Sequence, residues 1–377
     1  MYYFDNSATT KPLDEIMKVY QTVSQDYFAN PSSAHHLGET SSQLLNQARQ
    51  QMADLLQFNL DEIYFTSSGT ESNNWVLRSI LPAIHEKHPN GKKVLISSIE
   101  HPSVMQQIPL LESQGYHVEL IPVTEEGIID LNVFESMLDK EVLLVVTIAV
   151  NNEVGSIQPI ELIAKLLENF PQIIWHVDGV QAVTTQLNLI RNQRIDSLSL
   201  SSHKFYSVRG VGLLAKRLRV PSHEMLYGGG QEKGLRASTE NLAGIVAMSK
   251  ALRLANDRQT IAKEKLSSFR HKIIAKLKSN QWEIFAEDTG SEHIICAALA
   301  SIPGEVLLHA FEAENVFVST TSACSSRRNK GHATLKAMGI ANQISQSAIR
   351  LSLSQYTEDS DVNYVCQIID KITKQFK

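Results

Sequence analysis

In the stretch Ser199-Leu200-Ser201-Ser202-His203-Lys204-Phe205-Tyr206-Ser207, a lysine stands just past an apolar strand pattern (Ile195, Leu198, Leu200) and a run of small hydroxylated residues. Small side chains let a backbone approach a ligand, hydroxyls bind phosphate, and a lysine amine forms an imine with an aldehyde. Upstream, Trp175-His176-Val177-Asp178 reads as a second buried strand that ends in a carboxylate. A carboxylate at that place holds a pyridinium nitrogen protonated, which makes the ring an electron sink. An isolated lysine is usually a solvated one. The strand, serines, histidine and lysine taken together with Asp178 point instead to pyridoxal phosphate chemistry.

These residues need a scaffold, and the rest of the chain has the pattern for one. Short apolar runs at 62–66, 93–97, 117–121, 142–149, 173–177, 197–201 and 212–215 alternate with helical patterns at 69–81, 104–114, 132–137 and 160–169. Several runs are continuously apolar, as in strands buried on both faces. The βα rhythm predicts an α/β fold with a mostly parallel, doubly wound sheet, whose ligands bind beyond the carboxyl ends of the strands. Thr66–Thr70, Ser97–His101, Ala149–Asn152, Asp178 and Ser201–Lys204 all fall at such ends. After about residue 255 the pattern changes: a polar helix (255–279), strands near 283–285 and 293–299, a helix (304–314), a strand at 316–319, a loop of small and basic residues (320–331), a strand at 348–353 and a closing helix (359–376). The expected organisation is a large domain over 14–255 and a smaller α+β C-terminal domain formed by 1–13 and 256–377.

Composition bounds the function. The chain has 377 residues, 43% hydrophobic and 20% charged, with a formal net charge of −5. That suits a soluble globular protein and argues against a general nucleic-acid or membrane surface. No apolar run of about 18 residues suggests a membrane span, and Met1-Tyr2-Tyr3-Phe4-Asp5 has no signal-peptide pattern. Cys296, Cys324 and Cys366 are too few and scattered for a disulfide framework, so a reducing cytoplasm is the expected compartment. The histidines at 35, 36, 85 and 88 lack ligand spacing with other Cys, Asp or Glu, and no metal site is expected.

Further blocks follow in order along the chain: Asp5-Asn6-Ser7-Ala8-Thr9-Thr10; Asn30-Pro31-Ser32-Ser33 with His35 and Gly38; Thr66-Ser67-Ser68-Gly69-Thr70-Glu71-Ser72-Asn73; Glu100-His101; Asn151-Asn152-Glu153-Val154-Gly155; His176-Val177-Asp178 with Gln181; Gly228-Gly229-Gly230-Gln231-Glu232; Arg236 with Thr239; Ser322-Ala323-Cys324; and Ile349-Arg350. With Ser201 to Lys204, this series resembles the NifS-like cysteine desulfurases, class V aminotransferase-type pyridoxal phosphate enzymes of fold type I, over nearly the whole chain. The resemblance implies that pyridoxal 5'-phosphate is held as an imine by Lys204, with Asp178 at its ring nitrogen and His101 stacked on the ring. Gly69, Thr70, Ser201 and His203 would bind the phosphate, although Gly69 and Thr70 also read as an ordinary helix N-terminus. Asn152 and Gln181 match residues at the cofactor's 3-oxygen, and Asn152 also reaches toward substrate carboxylate. Thr239 matches a residue lent to the neighbouring subunit's phosphate, which implies a homodimer. Arg350 matches the carboxylate anchor, a role suited to a planar guanidinium.

Cys324 discriminates within this group. It sits in a stretch with little apolar content, whereas Cys296 and Cys366 lie in apolar patterns and read as packed and inert. The expected reaction is L-cysteine to L-alanine, with the sulfur taken by Cys324 as a persulfide and passed to an acceptor protein. Two stretches depart from the family: Ser207-Val208-Arg209-Gly210 replaces its usual Gly-Pro-Lys-Gly, and the loop continues Ser325-Ser326-Arg327-Arg328-Asn329-Lys330 where an acidic or neutral run is usual. The basic cluster reads either as an ordinary solvated loop or as a docking element for an acidic or RNA-bound acceptor, such as a tRNA-thiolating enzyme; tRNA thiolation and iron–sulfur assembly both stand as the use of the sulfur. No direct nucleic-acid contact is expected. The rival readings are a related aminotransferase or selenocysteine lyase, which share Lys204 and Asp178, and a partner-binding scaffold without catalysis.

Overall fold

A computed structural model describes residues 1–320 and 333–376. Its strands in chain order are β1 (Tyr2–Tyr3), β2 (Ile63–Thr66), β3 (Lys93–Ser97), β4 (His117–Ile121), β5 (Val142–Ile148), β6 (Ile174–Asp178), β7 (Ser197–Ser201), β8 (Gly212–Lys216), β9 (Glu283–Phe285), β10 (Ile294–Ala298), β11 (Val316–Phe317), β12 (Ser319–Thr320) and β13 (Ala348–Ser352). Seven of them form one sheet in the order β2-β8-β7-β6-β5-β3-β4. The pairs from β7 through β6, β5 and β3 to β4 are parallel, and β8 alone runs against its neighbours. This is the mostly parallel α/β sheet that the sequence predicts.

The sheet is covered on both faces. One face packs under Ile16, Leu45, Met52, Ile163 and Met248, from four helices, and carries Val145, Trp175, Val177, Leu198 and Leu200. The other face holds Leu144, Val146 and Ile174 beneath Trp75, Leu77, Ile80 and Leu111. Strand alternation therefore assigns sides. In β7 the leucines face the first cluster, and Ser197 and Ser199 point the other way, toward His176.

A second sheet, β12-β13-β10-β9, is antiparallel throughout, and β1 pairs with β11. Its own cluster gathers Phe4, Leu266, Phe269, Trp282, Phe311 and Ile369. Phe4 of the N-terminal segment belongs to this cluster.

Helix boundaries depart from the sequence reading where proline or burial intervenes. The expected 69–81 helix is Gly69–Trp75, a wider turn over Val76–Ile80, and then Leu81–Lys87. Pro82 has no N–H to give back to the preceding turn, and the backbone widens there. The expected 104–114 helix is split into Pro102–Met105 and Ile108–Ser113, each with proline in its first turn. The expected 255–279 helix begins earlier, at Leu242, where Asn241 caps it by accepting from Gly244 N at 3.1 Å. Two short helices, Ala333–Ala337 and Asn342–Ser345, were not expected.

Candidate active site

The carboxyl ends of the parallel strands open into a cavity of about 270 Å³. Gly69, Thr70, His101, Asn152, Asp178, Gln181, Ser201, His203, Lys204 and Arg350 all line it. Thr239 does not; it lines a separate pocket with Phe65, Gly210 and Arg236. Cys324, with Arg327, Arg328 and Lys330, lies outside the described residues.

At one wall, β6 ends in Asp178, which is buried. Its Oδ1 accepts from Val180 N at 3.0 Å and its Oδ2 from Asn73 Nδ2 at 2.8 Å. His101 caps the helix Pro102–Met105, its Nδ1 accepting from Ser103 N at 3.1 Å. Burial lowers its pKa and the Lys204 charge adds to that, against an upward pull from Asp178. Glu100, fully buried beside Asp178, is pushed well above the usual carboxylate range by desolvation and by that neighbouring charge.

Lys204 ends the single turn Ser202–Lys204 that follows β7. Its Nζ donates to Ser7 O at 2.5 Å and to Ala8 O at 2.9 Å. Gln181 Nε2 also donates to Ser7 O, at 2.9 Å. His203 Nδ1 lies 3.1 Å from Thr9 Oγ1, and desolvation, with Lys204 and Arg209 nearby, lowers its pKa to about 4. The segment between β1 and the first helix thus closes one side of the cavity.

The same segment meets Arg350 on β13, which donates from Nη2 to Asp5 Oδ1 at 2.8 Å and from Nη1 to Asn152 O at 2.7 Å. Among the described residues no acceptor meets its buried Nε. A buried guanidinium with a donor left over suits an anionic ligand. Glu153 also lines the cavity; burial raises its pKa to about 7, against lowering contributions from Thr334 and Arg350.

The helix Gly69–Trp75 is capped at its N-terminus beside the cavity. Ser68 Oγ accepts from Glu71 N at 3.1 Å, and Glu71 Oε2 accepts from Ser67 N at 2.7 Å. This capping leaves the amides of Gly69 and Thr70 without an intrahelical partner. A Cβ on Gly69 would stand 2.7 Å from Val180 Cγ2, so glycine lets the helix approach the turn after β6 this closely.

Sequence reasoning assigned no role to Ser7, Ala8, Asn73, Ser103 or Glu153, all of which line the cavity. Ser7, Ala8, Asn73 and Glu153 stand inside the sequence blocks that carry the resemblance, but their roles depend on partners far away in sequence.

A family model described as "Aminotransferase class-V" matches residues 2–365. A protein of Lactobacillus delbrueckii subsp. bulgaricus named "NifS/IcsS protein homolog" is 41% identical, covering 100% of this chain and 98% of that protein. A "Cysteine desulfurase IscS" of Dictyoglomus turgidum is 33% identical, covering 100% and 95%. Among solved structures, a "NIFS-LIKE PROTEIN" superposes with a TM-score of 0.92 at 30% identity, covering 99% of both chains. "SspA in complex with cysteine" does so with 0.81 at 27% identity, covering 95% of this chain and 100% of that one. Matched from end to end by relatives above 30% identity and almost throughout by the family model, the chain belongs to the class V aminotransferases, among the NifS/IscS-type cysteine desulfurases.

Proposed function

We propose that this chain is a pyridoxal-phosphate-dependent cysteine desulfurase, which converts L-cysteine to L-alanine and takes the sulfur onto Cys324 as a persulfide. One observation carries the reading: Lys204, Asp178, His101 and Arg350, far apart in sequence, line a single cavity at the strand ends. Enzymes of this family depend on pyridoxal 5'-phosphate.

The residues present fit that cofactor. The amides of Gly69 and Thr70, with Ser201 and His203, form a donor set for a phosphate, and the close helix approach at Gly69 shapes its seat. Asp178 would hold the ring nitrogen, Gln181 and Asn152 the 3-oxygen, and His101 the ring face. When bound, the cofactor supplies an aldehyde for Lys204 and a protonated ring that accepts electron density from the substrate.

The chain's own groups do the rest. Arg350 anchors the substrate carboxylate. Lys204 would move the substrate's Cα proton. The Cys324 thiolate takes the substrate sulfur, leaving a carbon that is protonated to give alanine.

Thr239 would serve the cavity of a second copy, which makes the working unit a homodimer. Two hydrophobic clusters support a large domain over 14–255 and a small one over 1–13 and 256–377. The changeover falls between Ala255 and Leu266, inside the helix Leu242–Ser279. Among the described residues no helix is long and apolar enough to cross a membrane, and we place the enzyme in the cytoplasm.

The test is L-cysteine turnover followed by mass spectrometry. The wild type is expected to release alanine and carry one extra sulfur on Cys324. Cys324→Ser is expected to bind cofactor but transfer no sulfur, since a hydroxyl forms no persulfide. A persulfide on Cys296 or Cys366 would sink the assignment; both thiols have raised pKa values from burial, that of Cys296 far above the ordinary range. Loading the persulfide and offering acidic, RNA-bound and iron–sulfur acceptors, with and without Arg327, Arg328 and Lys330 changed to Ala, tests the basic stretch as the docking element.

A further inference from the structure

We infer that Asn73 is a positioning residue for this reaction, because a single buried amide orients Asp178, sets the tautomer of His176 and reinforces that of His101. The inference deepens the desulfurase reading, on which it rests for what Asp178 and His101 do.

Asn73 lies in the helix Gly69–Trp75 and is 1% exposed. Its Nδ2 stands 2.8 Å from Asp178 Oδ2 and 2.8 Å from Ser103 Oγ; its Oδ1 stands 3.0 Å from His176 Nε2. A carboxylate only accepts, so the amide atom facing Asp178 must be the NH2 group. That leaves Oδ1 for His176, whose Nε2 must then carry the ring hydrogen. His176 Nδ1 becomes an acceptor for Ser197 Oγ at 2.9 Å. Its ring is neutral, since full burial lowers its pKa to about 3.

The other branch reaches His101. Asn73 gives its second hydrogen to Ser103 Oγ, so the serine's own hydrogen turns to His101 Nδ1, at 2.8 Å. The Ser103 amide donates to the same nitrogen at 3.1 Å. Two donors on Nδ1 place the hydrogen of neutral His101 on Nε2. The charged groups facing His101 are Asp178 and Lys204, one from the end of β6 and one from the turn after β7. One side chain thus contributes to both: it supplies one of the two donors on the carboxylate, and through Ser103 Oγ it reinforces the tautomer that the Ser103 amide already favours at His101.

The readout is ring-nitrogen NMR of the 15N-histidine-labelled holoenzyme, which reports the hydrogen on each nitrogen. The wild type is expected to show Nε2–H at both His176 and His101. A hydrogen on Nδ1 of wild-type His176 overturns the assignment without any variant.

Asn73→Ala removes the acceptor. Ser199 Oγ, 3.3 Å from His176 Nε2, can then donate to it, and the His176 hydrogen is expected to move to Nδ1. Asp178 loses one of its two donors, so kcat is expected to fall about 10- to 100-fold with KM within about two-fold. Ser103→Ala removes only the hydroxyl branch. It is expected to leave the His176 tautomer unchanged and to raise the His101 titration midpoint, because a donor that favours the neutral ring is gone. An unchanged His176 tautomer and a kcat within two-fold in Asn73→Ala would reduce Asn73 to packing. The tautomer measurement needs no turnover, so a wild type that made no alanine would overturn the desulfurase reading and not this one.

Discussion

Lys204 is held at rest by the carbonyls of Ser7 and Ala8, which belong to a segment almost two hundred residues upstream. Carbonyl acceptors of this kind hold an ammonium in place at the edge of the cavity. Lys204→Ala is expected to lose the cofactor's visible band and to lower kcat by at least about 10²-fold, the usual contribution of a positioned base. Its urea midpoint should stay close to that of the wild type, because Lys204 is only half-buried and the hydrogen bonds it gives to Ser7 O and Ala8 O are made at the edge of the cavity. Wild-type turnover in this variant would reject Lys204 as the proton carrier. Residues with distinctive side-chain chemistry, such as Lys204, Asp178 and Arg350, were legible in the sequence. Asn73, Ser103 and Ser7 were not. Their contributions are an amide, a hydroxyl and a backbone carbonyl, which acquire meaning only from partners that folding brings close.

The turn Asn151–Ile157 shows how one element serves two sheets. Asn151 Oδ1 accepts from Glu153 N and Val154 N at 2.8 and 2.9 Å, which fixes the tight geometry that presents Asn152 and Glu153 to the cavity. Ser291 N donates to Gly155 O at 2.7 Å, and Ile157 N to Thr289 O at 2.8 Å, tying the turn to the segment before β10. Gly155 adopts a φ of +83°, and a Cβ there would stand 2.8 Å from Ile294 Cβ. Gly155→Ala is therefore expected to destabilise the protein by about 2–4 kcal/mol, combining left-handed strain with overpacking. KM for L-cysteine should rise with it, because Arg350 is held by the Asn152 carbonyl. Chemical denaturation together with initial rates tests both effects; an unchanged midpoint would mean that the turn relaxes freely. Elements of this kind were partly legible. Continuous apolar runs revealed the buried strands to within a residue or two, because two covered faces leave no alternation to misread. The start of the long helix at Leu242 was missed. Its first turns are buried on several sides, which erases the amphipathic period, and Asn241 was the only local signal.

At the level of the whole molecule, two buried histidines couple the fold to pH. His176 sits within the large sheet, and His293 lies just before β10, its Nδ1 3.2 Å from Thr185 Oγ1. Burial lowers the pKa of both to about 3, with Arg350 also disfavouring charge on His293. A group with a depressed native pKa contributes stability above its unfolded pKa, near 6.5, and loses it as pH falls toward the native value. In that window the unfolded chain binds a proton that the native ring refuses, so stability should fall by about 1.4 kcal/mol per pH unit for each histidine. His101 and His203 are depressed as well and act in the same direction. Glu153, raised to about 7, acts oppositely between its unfolded value and pH 7, since the native state holds its proton first. Measured between pH 5.5 and 4, below the unfolded histidine pKa and above the native one, His293→Gln is expected to shift stability by a constant from lost contacts. It should also make the slope shallower by about 1.4 kcal/mol per pH unit. Parallel curves for wild type and variant would show that His293 accepts its proton in the native state, and that the junction between the two sheets admits charge.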